Sequence, residues 1–375
     1  MKEWISLNMT PGVGPRAATK LLERFGSADA VFHGRRTELE ALRLKPETID
    51  SILKREFHER AETELERVRA LGGDVLLLDD GSYPDLLREI DDPPIVLYVK
   101  GDWQACFDQP GVGVIGSRMC STYGENASEM LARDLASRGL TVVSGLARGI
   151  DTAAHRGAMR GKGKTIAVIG TGIDNVYPKE NNGLVREILA SGGCIVSQFP
   201  LGTPPLKDNF PYRNRIISGL SLGVLIVEAS ERSGSLITAR LASEQNREVM
   251  AVPGNITSSN SFGTNYLIKS GAKLVQQWQD VVSELPSEIS ARILPPKIDK
   301  VIAEEAVRQP ELVPADMTAN ELKIWEFLNA DEPVHIDNLL EMSSLSFGDL
   351  NTALVALDIR DLIRVLPGKH YARRI

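Results

Sequence analysis

Short runs of branched apolar residues alternate with helical patterns between residues 75 and 252, and few folds accommodate such an order. Most of these runs are uninterrupted, which is typical of strands buried on both faces of a parallel sheet. The predicted strands are 75–78, 95–99, 112–115, 140–143, 165–169, 194–196, 224–227 and 248–252. The helical patterns between them are 123–138, 151–159, 182–190 and 236–245. This order predicts an α/β fold with an extended Rossmann-like, doubly wound sheet over residues 73–285, whose ligands bind at the carboxyl ends of the strands.

A different pattern precedes the sheet. Residues 1–72 predict a domain of short helices, in which Gly-Val-Gly-Pro at 12–15 leads into apolar positions at Ala17, Leu21, Leu22 and Phe25. The pattern indicates an all-α domain of the SAM-like or helix-hairpin-helix-like type. A glycine-rich hairpin of this kind can offer backbone N–H groups to a phosphate. The alternative is a helix pair that only packs, which the acidic charge of residues 1–110 favours.

Two further segments follow the predicted sheet. Residues 286–315 are charged and contain five prolines, which predicts a linker. In residues 316–375, three amphipathic stretches at 319–329, 335–342 and 346–357 precede two short apolar runs joined by Pro-Gly-Lys. Three helices and a hairpin predict a winged-helix domain, a fold that often binds duplex DNA.

The charge distribution along the chain is more informative than its total. The net charge is −7, which by itself argues against a nucleic-acid partner. Residues 1–110 carry −6, residues 111–280 carry +5 and residues 281–375 carry −6. A basic centre between acidic ends indicates an anionic partner for the predicted sheet domain. Chance variation along the chain is the alternative.

Cysteine, histidine and hydropathy patterns exclude several classes of protein. The three cysteines are far apart and form no Cys-x-x-Cys pair, and the five histidines lack ligand-like spacing. A disulfide framework and a zinc site are therefore not expected, and no metal or cofactor is predicted. No apolar run is long enough to span a membrane, and the first residues do not resemble a secretory signal. We expect a reduced, cytoplasmic protein without membrane attachment.

Four loops that follow predicted strands carry glycine, hydroxyl and cationic residues. Residues 116–124 include Gly116, which would let a ligand approach the backbone, Ser117, which can donate a hydroxyl, and Arg118, whose planar fork suits phosphate. Residues 144–151 end at Asp151, expected to cap the next helix, and residues 170–181 supply Tyr177 and Lys179. Residues 228–238 form a further glycine and serine nest. Four such loops at one sheet edge predict an extended anion-binding rim; generic turns are the alternative.

Aromatic and cationic residues interleave at 208–221. Phe210 and Tyr212 alternate with Arg213 and Arg215. Stacking of a base on an aromatic ring is worth about 1–3 kcal/mol, and nearby cations follow the backbone of a single strand. We therefore predict that Arg213 and Arg215 contact single-stranded nucleic acid. The alternative is that Phe210 lies in the core while the arginines pair with acids such as Asp208 or Glu228 and hold this segment as a loop.

Taken together, seven stretches in order closely resemble the DNA-processing protein A (DprA/Smf) family. They are GSRMCSTYG at 116–124, SGLARGID at 144–151, YPKEN at 177–181, FPYRNRIISGLS at 210–221, SGSLITA at 233–239, REVMAVPGN at 247–255 and GTNYLI at 263–268. The resemblance spans about residues 75–280 and implies single-stranded DNA binding without sequence preference. It also implies a role in natural transformation, in which the protein protects incoming strands, loads the RecA recombinase on them and forms a homodimer through its Rossmann domain.

The resemblance also implies particular DNA contacts. Carried over motif by motif, they are Gly116, Ser117, Arg118, Lys179, Gly234, Ser235 and Leu236. Arg213 and Arg215 are added from their chemistry alone. The winged helix is present in only part of the family, so the resemblance implies no particular task for it.

The competing class is an enzyme that processes nucleotides or phosphoribose. The fold is also similar to that of nucleotide phosphoribohydrolases of the lysine-decarboxylase-like group, in which a catalytic glutamate follows a glycine-rich loop. At the equivalent place this chain has Leu236 and Ile237. Asp151 and Glu228 remain possible bases, although a helix cap and an ion pair explain them more simply. We therefore predict no catalytic residues and no enzyme activity. A third hypothesis is a scaffold whose termini recruit partners.

Overall fold

The computed structural model describes residues 1–293, 317–329 and 333–374. Within them, the large sheet has the strand order β1-β2-β6-β5-β4-β3-β7-β8-β9. Its strands are β1 Gly73–Leu77, β2 Val96–Gly101, β3 Gly111–Ile115, β4 Thr141–Ser144, β5 Thr165–Val168, β6 Cys194–Ser197, β7 Gly223–Ile226, β8 Glu248–Ala251 and β9 Lys273–Leu274. Each of the eight predicted strands overlaps one of these, and the short β9 was not predicted.

The direction in which the chain adds strands to the sheet reverses between β3 and β7. From β3 the chain adds β4, β5 and β6 on one side in parallel, and it then returns to place β7, β8 and β9 on the other side, also in parallel. Strands β1 and β2 differ from the expectation, since β1 is antiparallel to β2 and β2 is antiparallel to β6. The doubly wound Rossmann-like fold is therefore present, with an antiparallel edge.

Helices cover both faces of this sheet. The helices of residues 1–293 are α1 Lys2–Met9, α2 Pro15–Phe25, α3 Ala28–Phe32, α4 Arg36–Glu40, α5 Pro46–Leu53, α6 His58–Ala70, α7 Asp85–Arg88, α8 Trp103–Phe107, α9 Thr122–Ala136, α10 Ile150–Arg160, α11 Asn182–Ala190, α12 Asn209–Gly219, α13 Gly234–Glu244, α14 Phe262–Lys269, α15 Trp278–Val282 and α16 Ser287–Ile293. Residues of α9 and α10 share one apolar cluster with β3, β4 and β7. Residues of α12 and α13 share another with β6 and β7.

The N-terminal helices α1–α6 confirm the predicted all-α unit, and they are joined to the sheet by a common core. Ile5, Leu21 and Val68 belong to the same buried cluster as Tyr98 of β2 and Ile195 of β6. The Glu64 carboxylate also accepts a hydrogen bond from the Leu201 backbone N–H.

The C-terminal residues form the predicted winged helix. Its elements are α17 Ala319–Phe327, β10 Val334–His335, α18 Ile336–Ser343, α19 Phe347–Ile359, β11 Ile363–Leu366 and β12 His370–Arg373. Arg364 of β11 forms ion pairs with Glu125 and Glu129 of α9, at 2.8 and 3.4 Å, so the two units are in contact. The first residues of the predicted linker form α16, and 294–315 lie outside the described residues. The domain limits 1–72, 73–285, 286–315 and 316–375 stay predictions.

Candidate nucleic-acid interface

A cavity of about 350 Å³ lies at the carboxyl ends of β3 and β7, where the direction of strand addition reverses. We call it the switch-point cavity. Its walls come from the loops after β3 and β7, the first turn of α13, helix α12 and the connection between β4 and α10. A crevice at this position arises because the connections from neighbouring strands β3 and β7 leave in opposite directions. Six of the nine predicted DNA contacts line it: Gly116, Ser117, Arg118, Arg213, Gly234 and Ser235.

The first turn of α13 presents backbone to the switch-point cavity. Ser233 caps the helix, since its side-chain oxygen accepts a hydrogen bond from the Ser235 N–H at 3.3 Å. The first N–H groups of a helix have no carbonyl of a preceding turn, and the helix dipole favours an anion there. A methyl group placed on Gly234 would meet no protein atom within 4 Å. This backbone is therefore open to a phosphate.

Position 116 requires a glycine for a different reason from the one predicted. A methyl group on Gly116 would lie 2.7 Å from Ile150 Cγ1 and 2.8 Å from the Glu228 carbonyl oxygen. The protein itself fills the space that a side chain would need. Gly116 lines the switch-point cavity, but packing of the β3 loop against α10 and the β7 loop is what requires a glycine there.

Arg118 and Phe210 form one edge of the cavity, and the Tyr177 ring lies next to Phe210 outside the cavity lining. The guanidinium carbon of the exposed Arg118 lies 5.5 Å from the centre of the Phe210 ring. The Phe210 ring lies 5.4 Å from that of Tyr177, which is 42% exposed. These three residues border a smaller hollow of about 40 Å³, together with Gly145, Ala147, Arg148, Pro178 and Arg213. An aromatic surface beside a cation suits a stacked base and its phosphate.

Lys179 lies just beyond this edge. It is exposed, follows Pro178 directly and begins the short 3-10 turn Lys179–Asn181. It lines neither the switch-point cavity nor the smaller hollow. Nearby, Arg148 pairs with Glu180 at 2.6 Å, which neutralises that arginine. Lys179 is therefore an exposed cation next to the smaller hollow.

Arg213 does not present its charge to solvent, and its contact with a nucleic-acid backbone stays a prediction that this burial argues against. Its side chain is 3% exposed, and Nη1 donates to the carbonyl oxygens of Gly145, at 2.6 Å, and of Val168. Burial lowers the pKa of Arg213 to about 10, although the Asp151 carboxylate opposes this shift. Arg213 borders the cavity from behind and holds the loop that precedes α10.

Asp151 also differs from its predicted role. Gly149, not Asp151, is the N-cap of α10. The Asp151 carboxylate accepts hydrogen bonds from the backbone N–H groups of Gly145 and Ala147, at 3.1 and 3.3 Å. Burial raises the pKa of Asp151, and the Arg213 charge opposes that rise. Asp151 and Arg213 together shape the loop between β4 and α10.

Arg215 is likewise buried and does not reach the cavity. It is 3% exposed, pairs with Asp92 at 3.4 Å and donates to the Gln198 side chain at 2.7 Å. Its guanidinium stacks on Tyr212 at 4.3 Å from the ring centre. The predicted acid partners, Asp208 and Glu228, were wrong, and the supposed loop is helix α12. The contact of Arg215 with nucleic acid stays a prediction, and the burial of its side chain argues against it.

Ile237, and not the predicted Leu236, lines the switch-point cavity. Leu236 is half-buried and packs against the apolar cluster beneath α13. Ile237, which sequence reasoning did not select, is 43% exposed and lines the cavity. Helical spacing is the sequence feature that could have identified Ile237, because residue 237 lies three positions after Gly234 and thus on the same face of the helix.

Glu228, a possible base in the enzyme hypothesis, is buried and already engaged. Its carboxylate accepts hydrogen bonds from the backbone N–H of Ser121, at 2.9 Å, and from the Ser121 hydroxyl. Ser121 in turn caps α9. Among the described residues, no group of histidine, cysteine and acidic side chains could hold a metal ion. Within the same ranges, no helix has the length and apolar composition needed to cross a bilayer.

A doubly wound sheet with a cation and an aromatic ring at its switch point is typical of a Rossmann-like protein whose ligand site lies at the strand ends. Comparison with known proteins is more specific. Residues 74–286 match the family of DNA recombination-mediator protein A, and residues 308–369 match the DprA winged helix domain. This chain belongs to the DNA recombination-mediator protein A family.

Individual relatives agree with this membership. The chain is 33% identical over 391 residues to the protein Smf of Synechocystis sp., covering 99% of this chain and 98% of the relative. It superposes on the DprA structure of Streptococcus pneumoniae with a TM-score of 0.67 at 37% identity, covering 76% and 98% of the two chains. The DNA processing protein A of Helicobacter pylori, whose structure concerns its single-stranded DNA binding mode, gives a TM-score of 0.51 at 32% identity over 56% and 94% of the chains.

Proposed function

We propose that this protein binds single-stranded DNA at the switch-point cavity without sequence preference, as a recombination mediator in natural transformation. One observation carries the proposal: Arg118, the open backbone at Gly234 and the Phe210 and Tyr177 rings converge on one edge of the sheet. The cation and the helix start suit phosphates, whereas the rings suit bases of any kind. The single-stranded DNA binding of the Helicobacter pylori relative supports the same ligand.

The same proposal includes the cellular role. The protein would protect incoming strands, load the RecA recombinase on them and self-associate through its Rossmann domain in the cytoplasm. Membership of a recombination-mediator family supports this role. An assay of RecA filament formation on strands already coated with a single-strand-binding protein tests it, and filament formation that does not speed up when this protein is added would contradict the loading role.

The DNA-binding proposal has a direct test with charge-reversed variants. Arg118→Glu and Lys179→Glu should each weaken binding of all oligonucleotide sequences alike, by about tenfold, and reduce the salt dependence of the affinity. A titration of fluorescent oligonucleotides at two salt concentrations measures both effects.

The matched control for these variants is Lys162→Glu. Lys162 is exposed and lies in the turn between α10 and β5, at the amino ends of the strands, opposite the cavity. The Lys162→Glu variant makes the same charge change as the two test variants and should retain the DNA affinity of the parent protein. Equal losses in the control, or no loss in the two rim variants, would contradict the proposal.

We further propose that the cavity performs no catalysis. Both acids that sequence reasoning considered as bases are engaged, Asp151 by two backbone N–H groups and Glu228 by Ser121. A general base needs a lone pair directed at the substrate. Incubation with nucleoside monophosphates tests this part, and release of free base that disappears in Glu228→Gln would contradict it.

A further inference from the structure

A second cationic cavity lies in the N-terminal helical unit, away from the switch-point cavity. It has a volume of about 330 Å³ and is bordered by the beginning of α2 and by residues 42–45. Four of its eight lining residues are cations, and none is acidic. We call these four the N-terminal cation cluster: Arg16, Lys20, Arg43 and Lys45.

Among the described residues, the cluster has no ion-pair partner, although acids are abundant nearby. Residues 1–72 hold 13 lysines and arginines and 12 aspartates and glutamates, so the acid excess of residues 1–110 comes from the segment after residue 72. The acids pair with other cations instead: Arg24 with Glu38 at 3.9 Å, for example, and Arg36 with Asp50. Four exposed like charges around one hollow create a positive potential that attracts an anion.

Helix α12, which borders the switch-point cavity, places an aromatic side chain beside the start of α2. Gly14, the N-cap of α2, lies beside Tyr212: a methyl group on Gly14 would lie 3.6 Å from the Tyr212 hydroxyl. Tyr212 is 38% exposed and stands two residues after Phe210, at the start of α12. Burial raises the pKa of Tyr212, and the charges of Arg215 and Arg16 oppose that rise. Tyr212 and the start of α2, which carries Arg16, thus lie next to each other on the surface.

We propose that the N-terminal cation cluster binds the backbone phosphates of a single strand that leaves the switch-point cavity past Phe210 and Tyr212. This inference rests on the proposed function, because it extends the same DNA track onto the N-terminal helices. Lysine and arginine side chains without a fixed partner bind the sugar–phosphate backbone and carry no sequence information. The extension lengthens the bound segment and leaves recognition in the switch-point cavity unchanged.

Oligonucleotide length separates the two sites experimentally. An oligothymidylate of about 5 nucleotides fills the switch-point cavity alone, whereas one of about 20 can also reach the cluster. Arg16→Glu/Lys20→Glu should lower affinity for the longer strand by about tenfold and leave the shorter strand unaffected. It should also reduce the salt dependence for the longer strand, because fewer counterions are released.

The control is Lys54→Glu/Arg69→Glu, which makes the same charge change at exposed N-terminal positions outside the cavity lining. The inference is overturned if the control loses as much affinity as the cluster variant, if the cluster variant keeps parent affinity for the longer strand, or if it weakens both lengths equally. Arg118→Glu tests the underlying function separately, because it should weaken both lengths. Arg16→Gln/Lys20→Gln, checked by thermal unfolding, repeats the test without charge reversal and should give a smaller loss on the longer strand alone.

Discussion

Arg213 and Asp151 hold the two backbone polar groups of the same residue, Gly145. The Arg213 guanidinium donates to the Gly145 carbonyl at 2.6 Å, and the Asp151 carboxylate accepts from the Gly145 N–H at 3.1 Å. A methyl group on Gly145 would lie 2.6 Å from the Arg213 Nη1 and 2.7 Å from the Asp151 Oδ2. A buried pair of opposite charges therefore fixes the loop beside the switch-point cavity.

Arg213→Ala should destabilise the protein by about 3–5 kcal/mol, because removing one partner leaves the buried Asp151 carboxylate without its compensating charge. Urea unfolding measures this change. Its comparison is Arg118→Ala, which removes an exposed arginine and should leave stability within about 0.5 kcal/mol. If Arg213→Ala kept full stability and lost only DNA affinity, the arginine would be a direct contact after all.

Two glycines of the cavity should respond in opposite ways to the same substitution. Gly116→Ala should cost about 1–3 kcal/mol of stability, because the methyl group meets Ile150 and the Glu228 carbonyl. Gly234→Ala should leave stability within about 0.5 kcal/mol, since no protein atom lies within 4 Å. It should nevertheless lower DNA affinity by about tenfold, because the methyl group occupies space next to the ligand. Unchanged affinity in Gly234→Ala would show that the strand does not approach this backbone.

Phe210 should contribute to binding through its aromatic face. Phe210→Leu keeps an apolar side chain but removes the ring that lies beside Arg118 and Tyr177, so affinity should fall by about 1–3 kcal/mol for every base composition. Phe210→Tyr keeps the ring and serves as the control. Titration with homopolymeric oligonucleotides measures the effect, and equal affinities of the leucine and tyrosine variants would exclude stacking on residue 210.

His155 should make stability depend on pH. It is fully buried, and its Nδ1 lies 2.7 Å from the Thr165 hydroxyl, which itself donates to the Val142 carbonyl. Burial lowers the pKa of His155 to about 3, below its value in the unfolded chain. The unfolded state therefore binds the proton first, and stability should fall by up to about 1.4 kcal/mol per pH unit as pH drops below about 6.5.

Urea midpoints between about pH 7 and about pH 5 measure this loss before most carboxylates titrate. His155→Gln removes the titrating group and should show a flatter profile over the same range. An equally steep profile in His155→Gln would assign the pH dependence to other groups.

Arg364 should hold the winged helix against α9. Its side chain is largely buried between Glu125 and Glu129, so Arg364→Ala should loosen the contact and speed amide hydrogen exchange in β11 and α9. Lys369→Ala, in the exposed turn between β11 and β12, is the control. Unchanged exchange in Arg364→Ala would show that other contacts maintain the docking.

Much of the architecture was predictable because its signals are local. Uninterrupted apolar runs located the eight longer strands of the large sheet, and glycine and serine clusters located the loops at their carboxyl ends. Parallel neighbours then bring those loops to one edge, so Arg118 and Gly234 meet although 116 positions of sequence separate them. Helix α12 was missed because residues 215–219 are all buried, which removes the amphipathic period. The signal available was Pro211, since proline suits the first turn of a helix.

Which side chains reach the ligand could not be inferred from neighbours in the chain. Arg213 and Arg118 are equally cationic, yet contacts with Gly145, Asp151 and Val168 bury the first, whereas the second remains exposed. In the same way, Gly116 and Gly234 have the same chemistry, and only the packing of Ile150 and Glu228 distinguishes their roles. Periodicity and turn chemistry act over a few residues, so the chain reports them directly. Burial depends on residues brought together from distant segments, and it is known only once the sheet has been assembled.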